Sequence, residues 1–398
     1  MTSLTKKRIE SIDILRGIVM VIMASDHVRD YFHINANTDN PMNLATTTIP
    51  LYFTRWISHF CAPVFVFLSG SSIYLQSLRK TNTELASFLI KRGFWLILIE
   101  CTVISLAWTF NPRLEIIIFQ VIWAIGISMV MLGLLKLVRL PQIVLFIIGV
   151  VLVFGHNILD FYEKAPDFQS NFWWDLFHHG VFQPYAYAPN RIVLMVYPFP
   201  AWMGVMLLGY CAGFLFTPEV STEKRKKVLT WIGVSLILFF VILRFTNLYG
   251  DPIKWSIQKN AVYTFLSFIN VNKYPPSLLY LCITMGPALI LLAFIENVKN
   301  KFTDVMVVFG RTAFFYYIIH LYLIHLLTSI LFFVRGHSFE DSNSPNHHPF
   351  LFVVAGEGYG LPIVYLIWIV VIMALYPLCK RYDQYKINHK EKWWLSYL

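Results

Sequence analysis

Residues 11–30 read Ser-Ile-Asp-Ile-Leu-Arg-Gly-Ile-Val-Met-Val-Ile-Met-Ala-Ser-Asp-His-Val-Arg-Asp. An apolar run, Ile18 to Ala24, is flanked by Asp13 and Arg16 on one side and by Asp26, His27, Arg29 and Asp30 on the other. At about 1.5 Å per residue such a stretch spans the roughly 30 Å of a hydrocarbon core. It therefore reads as the first of several membrane helices, one that carries charge near both ends. Eleven helical steps of about 100° take Arg16 to His27, which brings the two within about 20° of one stripe and about 16 Å apart along the axis. Ionisable groups inside a membrane helix are costly and mark functional sites by default. The pair suits an anionic donor held at one end of the helix and acid–base chemistry at the other.

The whole chain agrees with this reading. Its 398 residues are 57% hydrophobic and 14% charged, with a mean hydropathy of +0.59, whereas a soluble domain carries about 25% charge. The fold class is all-α, a polytopic transmembrane helical bundle, with residues 1–398 forming one integral membrane domain surrounded by membrane lipids. The 12 Trp and 21 Tyr suit interfacial belts. The net charge of +10 does not point to nucleic acid, because the basic residues fall mostly in short loops, where they set topology. No cleavable signal peptide is expected: the first ten residues are polar, the first span is charged and no small-residue cleavage site follows it. Cys61, Cys101, Cys211, Cys282 and Cys379 lie in or beside apolar segments without paired spacing, so they read as packing residues.

Ten spans are expected, at about 12–33, 54–77, 88–110, 115–135, 141–160, 192–216, 228–248, 275–296, 305–333 and 361–380. The apolar segment 255–270 is short and reads as an interfacial or re-entrant helix. Lysine and arginine set the orientation. With the N-terminus in the cytoplasm, 20 of the 32 basic residues fall inside, including the run Lys224 to Lys227 and the tail after Lys380. Both termini are then cytoplasmic. The larger loops, 161–191 and 334–360, become extracytoplasmic; their aromatic, His and acidic residues suit sugar recognition or interfacial anchoring.

Asp13 lies three residues before Arg16 and can pair with it. Arg16 is either a snorkelling residue neutralised by Asp13 or the contact for an anionic donor. His27 has Asp30 three residues on, a carboxylate able to accept an imidazole N–H, and Asp26 beside it. A histidine oriented by a carboxylate is the base of many acyl-transfer sites. In the second span Arg55 and His59 are one turn apart, Pro63 follows, and Ser69-Gly70-Ser71-Ser72 permits close helix packing. His59 is either a site residue or a packed histidine. Glu100 needs a buried partner and either supports a donor tunnel or holds helices together, with structure favoured. Arg311, in Gly310-Arg311-Thr312, is a second candidate anion contact. His320 and His325 point about 140° apart and make no metal pair; His178-His179 and His347-His348 are unspecific doublets. No metal is expected from ligand spacing.

The stretch from Arg8 to Met23 and the stretch Phe-Cys-Ala-Pro-Val-Phe-Val-Phe-Leu-Ser-Gly-Ser-Ser at 60–72 resemble the heparan-α-glucosaminide N-acetyltransferase catalytic-domain family. An arginine, ten residues and a histidine in the first span, here Arg16 and His27, is similar to the pattern of the related acyltransferase type 3 family. Weaker likenesses lie at 197–204, 274–280 and 309–313. The resemblance implies an integral protein of a bacterial cytoplasmic membrane. It implies acetyl-CoA, or another acyl-CoA, as the donor bound from the cytoplasm, and a glycan or amino sugar as the extracytoplasmic acceptor. In the heparan-modifying members the histidine lies in the loop after the first span, a position that His33 would hold, so His27 and His33 both stay candidates for the catalytic residue.

The expected function is therefore a transmembrane acyltransferase. Arg16 and Arg311 would contact the CoA donor; His27 or His33, with Asp26, Asp30 and His59, would form the catalytic group. The developing oxyanion needs a donor, for which Arg29, Arg55 and His59 are candidates. The alternative is a proton-coupled transporter of a polar lipid or sugar, in which the same groups form a relay; against it, the chain shows no internal symmetry. O- versus N-acylation and oligomeric state, a homo-oligomer included, are left open.

Overall fold

The structure is a computed structural model that describes residues 9–36, 38–179, 182–343 and 350–396. Thirteen helices of the described chain carry the architecture. They are α1 (Glu10–Phe32), α2 (Ile49–Ser77), α3 (Asn82–Ile99), α4 (Val121–Leu137), α5 (Gln142–Glu163), α6 (Phe172–Phe177), α7 (Phe199–Phe216), α8 (Thr222–Thr246), α9 (Ala261–Ile269), α10 (Leu278–Asn297), α11 (Lys301–Arg311), α12 (Ala313–Val334) and α13 (Leu361–Asn388). Seven of them, α2, α5, α7, α8, α10, α12 and α13, are long and apolar enough to cross a membrane. The three other expected spans are also helical, but α1 and α3 are interrupted by charge and α4 has only 17 residues. The short helix α9 falls where the interfacial segment was expected.

Two expectations need correction. The chain is not all-α: three short strands, β1 (Ile116–Phe119), β2 (Gln183–Ala188) and β3 (Arg191–Met195), form a sheet in the order β1-β3-β2. β1 runs parallel to β3, with Ile116 opposite Ile192, and β2 runs antiparallel to it. The apolar runs 115–135 and 192–216 each begin as a strand and become a helix at Val121 and Phe199. A short run of β-branched residues looks the same to a hydropathy window in either state. The expected span 305–333 is also two helices, because the backbone leaves helical geometry at Thr312 (φ −110°) and starts again at Ala313.

α1 is the buried centre of the bundle, against α2, α11, α12 and α13. Its charges are tolerable because they face protein and not lipid. The contact with α11 is set by two glycines. A Cβ on Gly17 would stand 2.0 Å from the Met306 carbonyl oxygen, and one on Gly310 would stand 1.9 Å from that of Asp13. The two backbones touch, so only glycine fits at either place. This crossing brings Arg16-Gly17 and Gly310-Arg311 side by side. At another corner, buried Arg244 donates to the carbonyls of Phe268, Ile253, Ser267 and Asn270 at 2.6–3.1 Å, which ties α8 to the segment around α9.

Candidate active site

Two cavities lie back to back along α1. The first, about 440 Å³, begins at the Glu10 half of the helix and is lined by four cationic side chains: Arg16, Arg92 from α3, Arg311 from α11 and Lys386 from α13. Hydroxyls of Ser69 and Ser72 from α2 and the amide of Gln76 add hydrogen-bonding groups. Arg16 reaches Asp13 at 3.4 Å and donates to Ser72 Oγ at 3.1 Å. Asp13 also faces Arg311 Nε at 3.9 Å, and Arg311 meets Asp383 at 3.5 Å. Two carboxylates thus hold a pair of guanidinium groups at the wall, while Arg92 and Lys386 add further positive charge. A strongly cationic recess with serine hydroxyls is suited to phosphate groups.

The second cavity, about 340 Å³, lies toward the Phe32 end and is lined by His27, Asp26, Asp30, Arg55, Trp108 and Lys273 among others. The strands help to close it through Ile118 and Leu194, and Phe350 and Val353 reach it from the segment before α13. Met23, Phe65, Val121 and Tyr317 line both cavities. They form a wall shared by the cationic recess and the histidine's cavity.

His27 is oriented by another histidine. Its Nδ1 lies 2.7 Å from His320 Nε2, and His320 Nδ1 lies 3.0 Å from the Tyr316 carbonyl oxygen. A carbonyl can only accept, so His320 Nδ1 carries the proton and its Nε2 carries the lone pair. His27 must then donate from Nδ1, which leaves a lone pair on His27 Nε2. The ring is fixed further by Trp108, edge-on at 4.9 Å, and by the stacked His320 ring at 5.0 Å. An imidazole with a fixed tautomer beside a cavity is a general base ready for use.

The expected carboxylate partners are elsewhere. Asp30 accepts from Arg29 Nη2 at 2.6 Å, and Asp26 accepts from Arg29 at 2.9 and 3.2 Å and is also ion-paired with Arg55. Guanidinium groups outcompete a neutral imidazole for carboxylates because their bonds are charge-assisted. Arg29 is buried in this pairing and does not line the cavity. Arg55 does line it. His33 sits at the turn after α1, where its Nδ1 accepts from the Asn35 N–H at 3.2 Å, outside both cavities. His59 is buried against Tyr280 and also outside both. Glu100 is buried, accepts from the Gln120 N–H at 3.0 Å and supports the cavity wall from behind. His325 lies between the carbonyls of Ala107 and Leu351, at 3.0 and 2.7 Å. His347 and His348 lie outside the described residues.

Sequence reading missed His320, Tyr317, Trp108 and Lys273. His320 had a signal, since a histidine within an apolar helix needs a partner and His27 needs one too. The Tyr317 hydroxyl and the Trp108 indole N–H are buried beside one another at this junction, and no other described residue bonds either of them.

Residues 8–246 match the family described as heparan-alpha-glucosaminide N-acetyltransferase, catalytic. The matched range holds both quoted stretches, α1 and α2; the segments at 274–280 and 309–313 lie beyond it. No curated protein matches the chain. With well over half its length matched, the chain belongs to the heparan-alpha-glucosaminide N-acetyltransferase catalytic family, a family of transmembrane acetyltransferases.

Proposed function

We propose that the protein moves an acetyl group from acetyl-CoA on the cytoplasmic side of a bacterial inner membrane to a glycan or amino sugar on the other side. The observation that carries this reading is the shared wall: a cation-lined recess and a tautomer-fixed histidine meet at Met23, Phe65, Val121 and Tyr317. The phosphates of CoA would lie against Arg16, Arg92, Arg311 and Lys386. The pantetheine arm would run along α1 and present the thioester at the wall. The acceptor would enter the other cavity past Lys273 and Arg55.

His27 Nε2 takes the proton from the acceptor nitrogen or oxygen as that atom attacks the thioester carbonyl. A C–N or C–O bond forms, the C–S bond breaks, and the proton passes on to the departing thiolate. The His320 lone pair keeps its bond to His27 Nδ1–H when His27 becomes imidazolium, so the protonated form is held as the neutral form was. The oxyanion forms beside Tyr317, whose hydroxyl can donate to it together with the Trp108 N–H. The transporter alternative leaves the cation-lined recess without a purpose.

The test is transfer of labelled acetyl from acetyl-CoA by the purified protein in detergent, with a panel of amino sugars and glycans. Turnover should be lost in His27→Ala and persist in His33→Ala. Absence of any acetyl-CoA binding or turnover by the wild type overturns the proposal, and flux that depends on a proton gradient in vesicles would replace it with transport.

A further inference from the structure

A second cluster of chemistry-bearing groups lies away from both cavities, where α5 ends and the chain returns after α6. Asp160 and Glu163, three residues apart, share one face of the last turn of α5, and His178 follows α6 directly. Potential ligand atoms of the three residues lie within 4.8 Å of one another. Asp160 and His178 are buried, His178 to 2% exposure.

The hydrogen bonds determine which ring nitrogen is available. His178 Nδ1 lies 2.8 Å from Glu163 Oε1, which also accepts from the Trp174 indole N–H at 2.8 Å. Nδ1 therefore donates, and in a neutral ring Nε2 keeps a lone pair. That nitrogen is fully buried and has no hydrogen-bond partner among the described residues. It faces Asp160 Oδ1 at 3.6 Å. The other Asp160 oxygen is occupied by the Asn157 side-chain amide at 2.8 Å. The adjacent Lys164 turns its ammonium over the Phe161 ring.

A lone pair aimed at a carboxylate oxygen is repulsive unless a cation lies between them. A proton on Nε2 would draw the oxygen in to about 2.7–2.9 Å, and a separation of 3.6 Å is no hydrogen bond. A tetrahedral metal ion about 2.1 Å from each ligand holds two of them about 3.4 Å apart. A carboxylate behind the opposite ring nitrogen is also the usual way a metal-bound histidine is held, with the carboxylate fixing its tautomer.

We propose that His178 Nε2 and Asp160 Oδ1, with Glu163 behind the imidazole, form a site for a divalent cation of the Zn2+ class. One imidazole and a carboxylate are a mixed donor set that suits Zn2+, Mn2+ or Co2+ better than Ca2+ or Mg2+. The ion ties the end of α5 to the chain leading into Phe182 and the β2–β3 hairpin, which close the His27 cavity. It is a structural clamp, independent of the acetyl-transfer reading.

The experiment uses the full chain, purified in detergent and stripped with a chelator, then offered Zn2+ or Co2+. Bound metal is measured by elemental analysis, and Co2+ by its visible absorption. One ion per chain is expected, with a rise in the melting temperature that a chelator reverses. Asp160→Asn and His178→Gln should each abolish binding, and Glu163→Gln should weaken it about 10- to 100-fold. The wild-type titration needs no variant to fold, so it decides the matter alone. No bound metal and no change in melting temperature overturn the proposal; preference for Ca2+ or Mg2+ over Zn2+ overturns the class of ion.

Discussion

The His27–His320 pair makes a prediction that no carboxylate-oriented histidine would share. His320→Phe removes the acceptor 2.7 Å from His27 Nδ1 while keeping a ring in the same slot. A buried hydrogen bond of this kind contributes about 0.5–1.5 kcal/mol net. Its loss lets His27 populate the wrong tautomer and turn away from the cavity, so kcat should fall about 2- to 12-fold at about 1.4 kcal/mol per decade. Removing the base itself, in His27→Ala, should cost about 10²–10⁴-fold. The donor recess contains neither histidine, so KM for acetyl-CoA should not move in either variant. His320→Asn offers a carbonyl oxygen to the Nδ1–H and should recover part of the loss that His320→Phe shows. The assay is steady-state transfer of labelled acetyl, with folding checked by the melting temperature. An unchanged kcat in His320→Phe refutes the orienting role. A loss as deep as that of His27→Ala in both variants would make His320 the base.

Four other results follow from the same geometry. Arg16→Ala removes a charged contact worth about 1.5–3 kcal/mol, so KM for acetyl-CoA should rise about 10- to 100-fold with little change in kcat. Tyr317→Phe deletes one buried donor at the shared wall and should lower kcat about 10²-fold, as loss of an oxyanion-hole donor does, with both KM values preserved. Asp26→Ala leaves buried Arg29 without one carboxylate and strands Arg55, so it should destabilise the protein by about 3–5 kcal/mol, seen in the melting temperature before activity. In the loop after α8, burial pushes the Asp251 carboxyl up to about 6 even though Arg244 opposes it. A raised carboxyl binds its proton more tightly in the folded state, so it costs stability above about pH 6 and that cost fades as pH falls toward 4. Wild type should therefore gain melting temperature relative to Asp251→Asn between pH 7 and pH 5; a pH-independent difference refutes the shift.

How much of this could be read from the sequence depends on where each residue's partner lies. Each of the ten expected spans contains helix, because a long apolar run must satisfy its backbone internally, but two of them begin as strands and one is broken at Thr312. The strands at 116–119 and 191–195 were hidden because the apolar run continued into a helix and offered no change of period at the join. The same contrast applies to the site. Pairing at i+3 correctly places Asp13 beside Arg16, since both partners ride on one helix. It fails for His27 and Asp30, which have the same spacing. Asp30 has a guanidinium for a neighbour, and a charge-assisted bond displaces a neutral one. Once Arg29 has taken both acids, His27 has no carboxylate left on its own helix and needs an acceptor from another. A second histidine within an apolar helix was available in His320 on α12, and that pairing was within reach of the sequence. The gathering of Arg92 and Lys386 with Arg16 and Arg311 around one cavity was not, because these side chains come from four different helices, and spacing within one helix carries no information about how another helix is placed against it.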